Sequence, residues 1–364
     1  MPALPALCDP RHLADYLNLL EPESLVRLFV AFPPHAFEAF ISPEGTPAFT
    51  TRFDLLTTTT DSVRLRVASL PFYRFWSKAL MPRTCFVGTT VSEYALFPRA
   101  LPPASLVEEL KARHTPRYPF LIIKDVPQDS PLLDAPDNAH ALEVVNACRR
   151  AGFVLVEGQA LAYVPIDFES IDAYLSRLSA SRRKDIRRKL RARADLSVDN
   201  VPLGDDRFQD AGVLDEYYSL YLNVYNQSTL HFDLLSATFF RALLQDASTG
   251  GISFEYRHAG RLIGYNICFV SHGQLIDKYV GFRYPDARAQ NLYFVSWFHN
   301  LAYALDRGLT HYVAGWTDPE IKAYLGARFT STRHAVYIRN RVLRAVLRRL
   351  TSFFERDRMW HEAT

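Results

Sequence analysis

From residue 251 the chain reads ISFEYRHAGRLIGYNICFVSHGQLIDKYVGFRY, and a few residues later NLYFVSWFHNLAYALDRG. The first stretch is dominated by β-branched, aromatic and other apolar residues. It is punctuated at His258-Ala259-Gly260 and at His272-Gly273. Short polar pairs containing glycine between such runs form tight hairpins, so three antiparallel strands are expected. The second stretch has apolar residues at helical spacing up to Gly308, a stop signal for a long helix. A sheet followed directly by a long apolar helix must bury one face beneath it. This succession constrains the fold more than any other part of the chain.

The rest of the sequence repeats the alternation. HYVAGW reads as a strand, PEIKAYLGA as a short helix, STRHAVYIRN as a last strand, and an arginine-rich helix follows. Upstream, residues 11–40 read as helical with a break at Pro33-Pro34, and RTCFVGTTVSEYAL as strands. ASLVEELKARH is an amphipathic helix, YPFLIIKDV a buried strand closed by Pro127, NAHALEVVNACRRAG a helix that stops at Gly152, and FVLVEG a strand. ALAYVPI is a further strand, DFESIDAYLSRL and the basic stretch after it are helical, and DLSVDNV is a strand. Two helices are expected near 211–225 and 236–245. The fold class is α+β, with mixed sheets flanked by helices. A boundary near 160–168 divides an N-terminal half, 1–160, from a second domain, 161–340, with a basic amphipathic helix over 341–364.

A chain of 364 residues that is 48% hydrophobic and 13% aromatic has ample material for a folded core. Its net charge of +3 and pI near 8.6 are too modest for a dedicated nucleic-acid binder, so DNA is excluded as a partner and anion binding must come from local clusters. Cys8, Cys85, Cys148 and Cys268 lie far apart without a CxxC pair, as in a reducing compartment. The N-terminal stretch lacks a basic region followed by a long apolar run, and no segment approaches a membrane span. A cytoplasmic protein is expected, with the inner membrane face as a further location. No His/Cys cluster has metal-ligand spacing, and neither a P-loop nor a GxSxG elbow occurs.

The order of elements from residue 250 resembles the core of the GNAT acyltransferases. GRLIGY stands where the substrate-side hairpin begins, and AYLGARF is similar to the family's YxxxGF close. A basic helix containing SxxRxxIRR before a strand, and the later GxTxxxxKxxLGA, narrow the resemblance to the tandem, Fem-type branch, which includes peptidoglycan-bridge aminoacyltransferases. The resemblance covers about residues 160–340 well, and residues 45–160 as a weaker first half. It implies two tandem GNAT-like domains. One departure stands out: the glycine-rich pyrophosphate loop is missing, and PDARAQNLYF occupies its place.

A helix N-terminus presents unpaired N–H groups and can hold phosphate without glycines. The helix beginning near Asn291 is therefore a candidate for cofactor binding, with Gln290 beside it and Arg283 and Arg288 just before. The alternative for both arginines is a solvated loop. Four residues before Gly326, where GNAT relatives place a proton-donating tyrosine, stands Lys322; Fem-type chains commonly have lysine about here. It would stabilise developing negative charge or protonate a leaving group. The alternative is a surface lysine, with Tyr324 as packing. Asp277, in the otherwise apolar strand QLIDKYVG, is the first choice of general base, since a charge there is costly unless paired or used. Glu255 is the second. A solvent-facing acid is the competing reading of Asp277.

The stretch SASRRKDIRRKLRAR, residues 179–193, has eight Lys or Arg and a single Asp185. Arg183 and Arg187 lie on one helical stripe, Lys184, Arg188 and Arg191 on the next, with Ile186 and Leu190 as anchors. The resemblance places such an element near substrate phosphates, so Arg183 and Arg187 become substrate-binding candidates; a solvated helix face is the alternative. Asn226 and His231, in YNQSTLHFD, would shape an acceptor pocket or cap a turn. The leading expectation is an N-acyltransferase moving an acyl group from acyl-CoA, a co-substrate rather than a tightly bound cofactor, to a small-molecule, glycan or peptide amine. The alternative donor is aminoacyl-tRNA, set second because no heptads mark an inserted helical arm. A non-catalytic protein that binds an anionic ligand or membrane surface is the third reading, supported by the apolar stripe Val342, Leu343, Val346, Leu347 and Leu350 opposite arginines.

Overall fold

The computed structural model describes residues 15–54, 69, 80–228 and 232–349. His231, Cys8 and residues 350–364 lie outside them. The chain divides into two compact units. The first comprises residues 1–19, 29–160 and 330–364; the second comprises 20–28 and 161–329.

In the first unit β1 (Tyr16–Leu17) pairs with β5 (Phe97–Pro98). The main sheet has β2 (Glu38–Ile41), β3 (Pro47–Arg52), β4 (Arg83–Val87), β6 (Phe120–Gln128), β13 (Arg328–Ile338) and β7 (Val154–Pro165), in that spatial order. Helices α2 (Pro103–His114) and α3 (Ala135–Arg150) pack Leu106, Leu110, Val144 and Cys148 with Leu121 and Ile123 of the sheet. β4 and β6 run parallel from Thr84↔Phe120 to Val87↔Ile123 and pair no further. Beyond that point Lys124 Nζ reaches across to donate to Thr89 O at 2.8 Å and also pairs with Asp125.

In the second unit the order is β7, β12 (His311–Gly315), β11 (Gln274–Phe282), β10 (Arg261–Ser271), β9 (Gly251–His258) and β8 (Leu196–Pro202). Both hairpins have two-residue turns. Ala259 and Gly260 (φ 48 and 79), and His272 and Gly273 (φ 48 and 72), all have positive φ, the conformation that matches strand twist. α9 (Leu292–Asp306) buries Leu292, Val295, Phe298 and Leu301 in the core of this unit with Phe254, Cys268 and Leu275. α4 (Ile171–Ser176), α5 (Ala180–Leu190), α6 (Ala211–Gln227), α7 (Ala237–Gln245), α8 (Asp286–Ala289) and α10 (Pro319–Leu325) complete it. Lys278, buried on β11, pairs at 3.1 Å with buried Glu21, which brings the early segment 20–28 into this unit. α1 (Ser24–Ala31) starts there, and α11 (Arg341–Arg349) closes the first unit. Among the described residues no helix is long and apolar enough to cross a membrane.

Each unit is a mixed, largely antiparallel sheet flanked by helices, as expected, but local readings need correction. Among the described residues of 11–40, 15–40, only Ser24–Ala31 is helical; Glu38–Ile41 is a strand because it pairs with β3. FVLVEG and ALAYVPI are one strand. Gly158 in its middle has no room for a Cβ, which would collide with Thr332 Oγ1. Pro127 does not close β6: it stands opposite Thr332 and the pairing continues to Gln128 opposite Ser331, while the register shift lies further back, between Val126 and Ile123. The strand in RTCFVGTTVSEYAL ends at Val87.

Gly326 ends α10 at φ 99, and a Cβ there would lie 2.6 Å from the Tyr174 hydroxyl, which donates to Leu325 O at 2.6 Å. Both backbone strain and that collision oppose a side chain. Gly326→Ala should therefore lower stability by about 2 kcal/mol in urea unfolding; a loss below about 0.5 kcal/mol would contradict this account of the turn.

Candidate active site

β11 and β12 run parallel but pair only at Gln274↔His311, Leu275↔Tyr312 and Ile276↔Val313. β11 continues to Phe282 against β10, whereas β12 bends away at Gly315, φ 80, towards α10. The two strands thus fork. Asp277 is the first residue of β11 beyond the last pair, and Ala314 and Gly315 are its counterparts on β12.

The Asp277 carboxylate collects donors from three elements. Its Oδ2 accepts from Asn266 Nδ2 of β10 at 2.8 Å, from Asn300 Nδ2 of α9 at 2.9 Å and from Tyr312 Oη of β12 at 3.0 Å. Its Oδ1 has the Cys268 thiol at 3.7 Å. Asn266, Asn300, Tyr312 and Cys268 are all buried. Burial pushes the Asp277 carboxyl above its ordinary value, and the hydrogen bonds and the Lys322 ammonium oppose the rise. Each neighbour satisfies Asp277 while leaving Oδ1 the less occupied oxygen. Lys278, the next residue, points the other way, towards Glu21.

Lys322 is only 4% exposed and is not a surface lysine. Its Nζ donates to Ala314 O at 2.6 Å. A Cβ built on Gly315 would lie 3.9 Å from both this Nζ and the Asp277 carbonyl oxygen, so the ammonium sits at the fork. Tyr293, in the first turn of α9, belongs to the same neighbourhood. Burial first, and then the charges of Asp318 and Asp277, push its phenol upward and hold it protonated. A buried carboxylate inclined to take a proton, an ammonium and a protonated phenol therefore gather where the sheet opens.

The other candidates have different surroundings. Glu255 is buried away from this cluster. It accepts from Tyr217 Oη at 2.6 Å on α6 and from Arg257 and Arg207 at 2.6 and 3.3 Å. Tyr265 stands opposite Glu255, and Asn266 opposite Phe254, so Glu255 and Asn266 face opposite sides of the sheet. Arg283 donates to Leu262 O and to Glu216, joining β10 to α6. Exposed Arg288 donates to Gln227 Oε1 at 2.8 Å and lies 4.8 Å from the Tyr284 ring, while Gln290 contacts His258 at 3.3 Å. Asn291, φ 49, precedes α9 and gives it no side-chain cap.

Two arginines of the basic helix α5 are turned towards backbone carbonyls, and others stay in solvent. Arg182 donates to the carbonyls of Ala323 and Tyr324 at the end of α10. Arg183 donates to Leu178 O at 2.6 Å and Ser176 O at 3.3 Å, just past α4. Arg187 pairs with Asp172 at 2.8 Å in solvent. Asp185 receives Arg188, Lys189 and the Tyr324 hydroxyl. Asn226 is exposed at the end of α6, and His231 lies outside the described residues. Sequence reasoning missed Asn266, Asn300, Tyr312 and Tyr293. The available signal was an asparagine inside each of two otherwise apolar runs, GYNICFV and WFHNLAY.

No curated protein matches this sequence. Solved structures of similar fold include L-PGS from Bacillus licheniformis, with TM-score 0.55, 11% identity, and coverage of 95% of this chain and 96% of that one. The C-terminal domain of an Agrobacterium fabrum protein described as a lysylphosphatidylglycerol synthetase gives TM-score 0.53 at 12% identity, covering 89% and 90%. FemX gives TM-score 0.51 at 10% identity, covering 90% and 98%. At these identities the likeness is one of fold. The FemAB-like family model, described as peptidoglycan biosynthesis/recognition, matches residues 138–363, well over half of the chain. The chain belongs to the FemAB-like family.

Proposed function

We propose that this protein is a Fem-type aminoacyltransferase whose chemistry takes place at the fork between β11 and β12. The observation that carries the reading is that partly buried Asp277 and buried Lys322 stand together where the strands part. Aminoacyl-tRNA is the proposed donor. The family description and the fold shared with FemX and L-PGS support aminoacyl transfer over transfer from acyl-CoA. The loop that would hold a CoA pyrophosphate lacks the glycine pattern, and its Arg283, Arg288 and Gln290 already have protein partners. The uncapped first turn of α9 is the one observation that keeps acyl-CoA as the comparison donor.

In the proposed step an acceptor amine attacks the ester carbonyl carbon of the donor. A C–N bond forms as the ester C–O bond breaks. Asp277 takes a proton from the attacking nitrogen, and the departing ribose oxygen receives one. Lys322 faces the negative charge that grows on the carbonyl oxygen, where an ammonium in a water-poor site is most effective. Holding donor and amine together supplies much of the acceleration.

Lys322→Met should lower kcat and kcat/KM together by about 100-fold, roughly 2.7 kcal/mol, because the contact strengthens in the transition state. The measurement is aminoacyl transfer from charged tRNA in the full chain, with thermal melting as the folding control. Unchanged kinetics in a folded variant, or turnover of acyl-CoA but not of aminoacyl-tRNA, would sink the proposal.

Asp277→Asn should abolish transfer and raise the melting temperature at neutral pH. In the wild type the folded carboxyl binds its proton more tightly than the unfolded chain, whose ordinary value is 3.8. That stabilisation is complete below this value and is lost as pH rises through the raised folded one. The variant's advantage should therefore grow from acid towards neutral pH. A constant difference across pH would show that the Asp277 carboxyl is not shifted upward.

A further inference from the structure

In the first unit, strand β2 and the end of α2 border a hollow of about 380 Å³, a volume at the small end of the range for small-molecule sites. Phe40 of β2, Pro43 beyond it, His114 at the last position of α2 and Tyr118 after the following turn form its ring-lined wall. The three aromatic rings adjoin one another. Phe40 and His114 lie 6.0 Å apart between ring centroids, and His114 and Tyr118 lie 6.4 Å apart. Such a wall offers flat faces to a flat guest.

Three polar side chains of this lining have groups without a hydrogen-bond partner among the described residues. His114 is only 4% exposed, and its Nε2 is buried with no partner, a state that costs free energy until something meets it. Burial lowers the imidazole below its ordinary value; Glu44 opposes the fall and Arg113 and Arg117 add to it, so the ring is uncharged at neutral pH. The Tyr118 hydroxyl has no partner, although the Arg83 guanidinium lies 5.7 Å from its ring. Arg117 is exposed and its side chain pairs with no carboxylate. The other charges are engaged within the protein. Glu38 receives Arg83, and Arg113 donates to buried Glu44 at 2.5 Å. The carbonyls of Thr115 and Pro116, just past α2, receive Arg339, which offsets the negative end of that helix. Arg117 is thus the cation left over for a guest.

We propose that this hollow binds a small anion carrying a planar aromatic ring, with the ring against Phe40, His114 and Tyr118 and a phosphate or carboxylate on Arg117. Arginine meets either oxyanion through a bidentate fork. His114 and Tyr118 supply hydrogen bonds to polar atoms of the ring. A free inorganic anion would leave the rings bare, and a neutral ring would leave Arg117 in water. A cationic guest would meet Arg113 and Arg117 and be repelled. Nothing in this site depends on the chemistry proposed for Asp277 and Lys322.

The test is isothermal titration of the full chain with AMP and with indole-3-acetate, a ring-bearing phosphate and a ring-bearing carboxylate. Adenosine, indole, inorganic phosphate and acetate serve as their fragments. One or both of the ring-bearing anions should bind, with their own fragments at least about ten-fold weaker; the tighter of the two identifies the oxyanion. Arg117→Gln should weaken that anion about ten-fold with the melting temperature retained, since this side chain is exposed. Tyr118→Ala should weaken it as well. Lys322→Met, which does not touch the lining of this hollow, should leave the affinity unchanged. Binding lost in Lys322→Met would belong to the fork of β11 and β12 and would overturn the proposal. So would binding of neither anion, equally tight binding of phosphate or acetate alone, or wild-type affinity in Arg117→Gln.

Discussion

Three donors meet on one oxygen of Asp277, and they come from a neighbouring strand, from the helix that covers the sheet and from the strand across the fork. A carboxylate in an apolar sheet is tolerated only with such company. The arrangement in turn requires β10, β11, β12 and α9 to hold their mutual register. Lys322 can stand at the same place only because Gly315 and Asp318, both at positive φ, turn the chain sharply from β12 into α10. The fold and the candidate chemistry therefore share one constraint, the satisfaction of a single buried charge where a sheet stops pairing.

The sequence revealed the two charges but not their setting. Asp277 was legible because it interrupts an apolar strand, and Lys322 because it stands at a fixed distance before a glycine. Asn266, Asn300 and Tyr312 became visible only in three dimensions, since a strand register and a helix rotation decide which polar side chain reaches a given carboxylate. Glu255, the second choice of base, lies apart from Asp277 for the same reason: strand side chains alternate, and its register turns it to α6 and two arginines. The three-strand succession and its turns were readable because glycine beside a residue of positive φ leaves a clear trace in the sequence. The extent of the helix in residues 11–40 was not, because pairing with β3 overrides local periodicity.

The basic stretch 179–193 answers to a different rule. A sequence displays its charges but hides the carbonyls that receive them. Helix C-termini leave backbone oxygens without partners. Arg182 and Arg183 serve the oxygens at the ends of α10 and α4, and Asp185 gathers Arg188, Lys189 and Tyr324. Much of what reads as an anion-binding stripe is a set of ties holding the short helix that carries Lys322.

The position of β13 has a consequence for the time course of synthesis. In the first unit this strand lies between β6 and β7, yet it is made after every other strand of the described residues. A nascent chain that has passed residue 165 holds β6 and β7 with a gap between them, and their edges have no partner. Domains usually fold in the order in which they leave the ribosome; here the unit that starts first can complete its sheet only after the second unit has been synthesised in full. For most of translation the first half of this protein is a sheet waiting for its middle strand, which makes exposed edges, rather than low stability, the hazard of its birth.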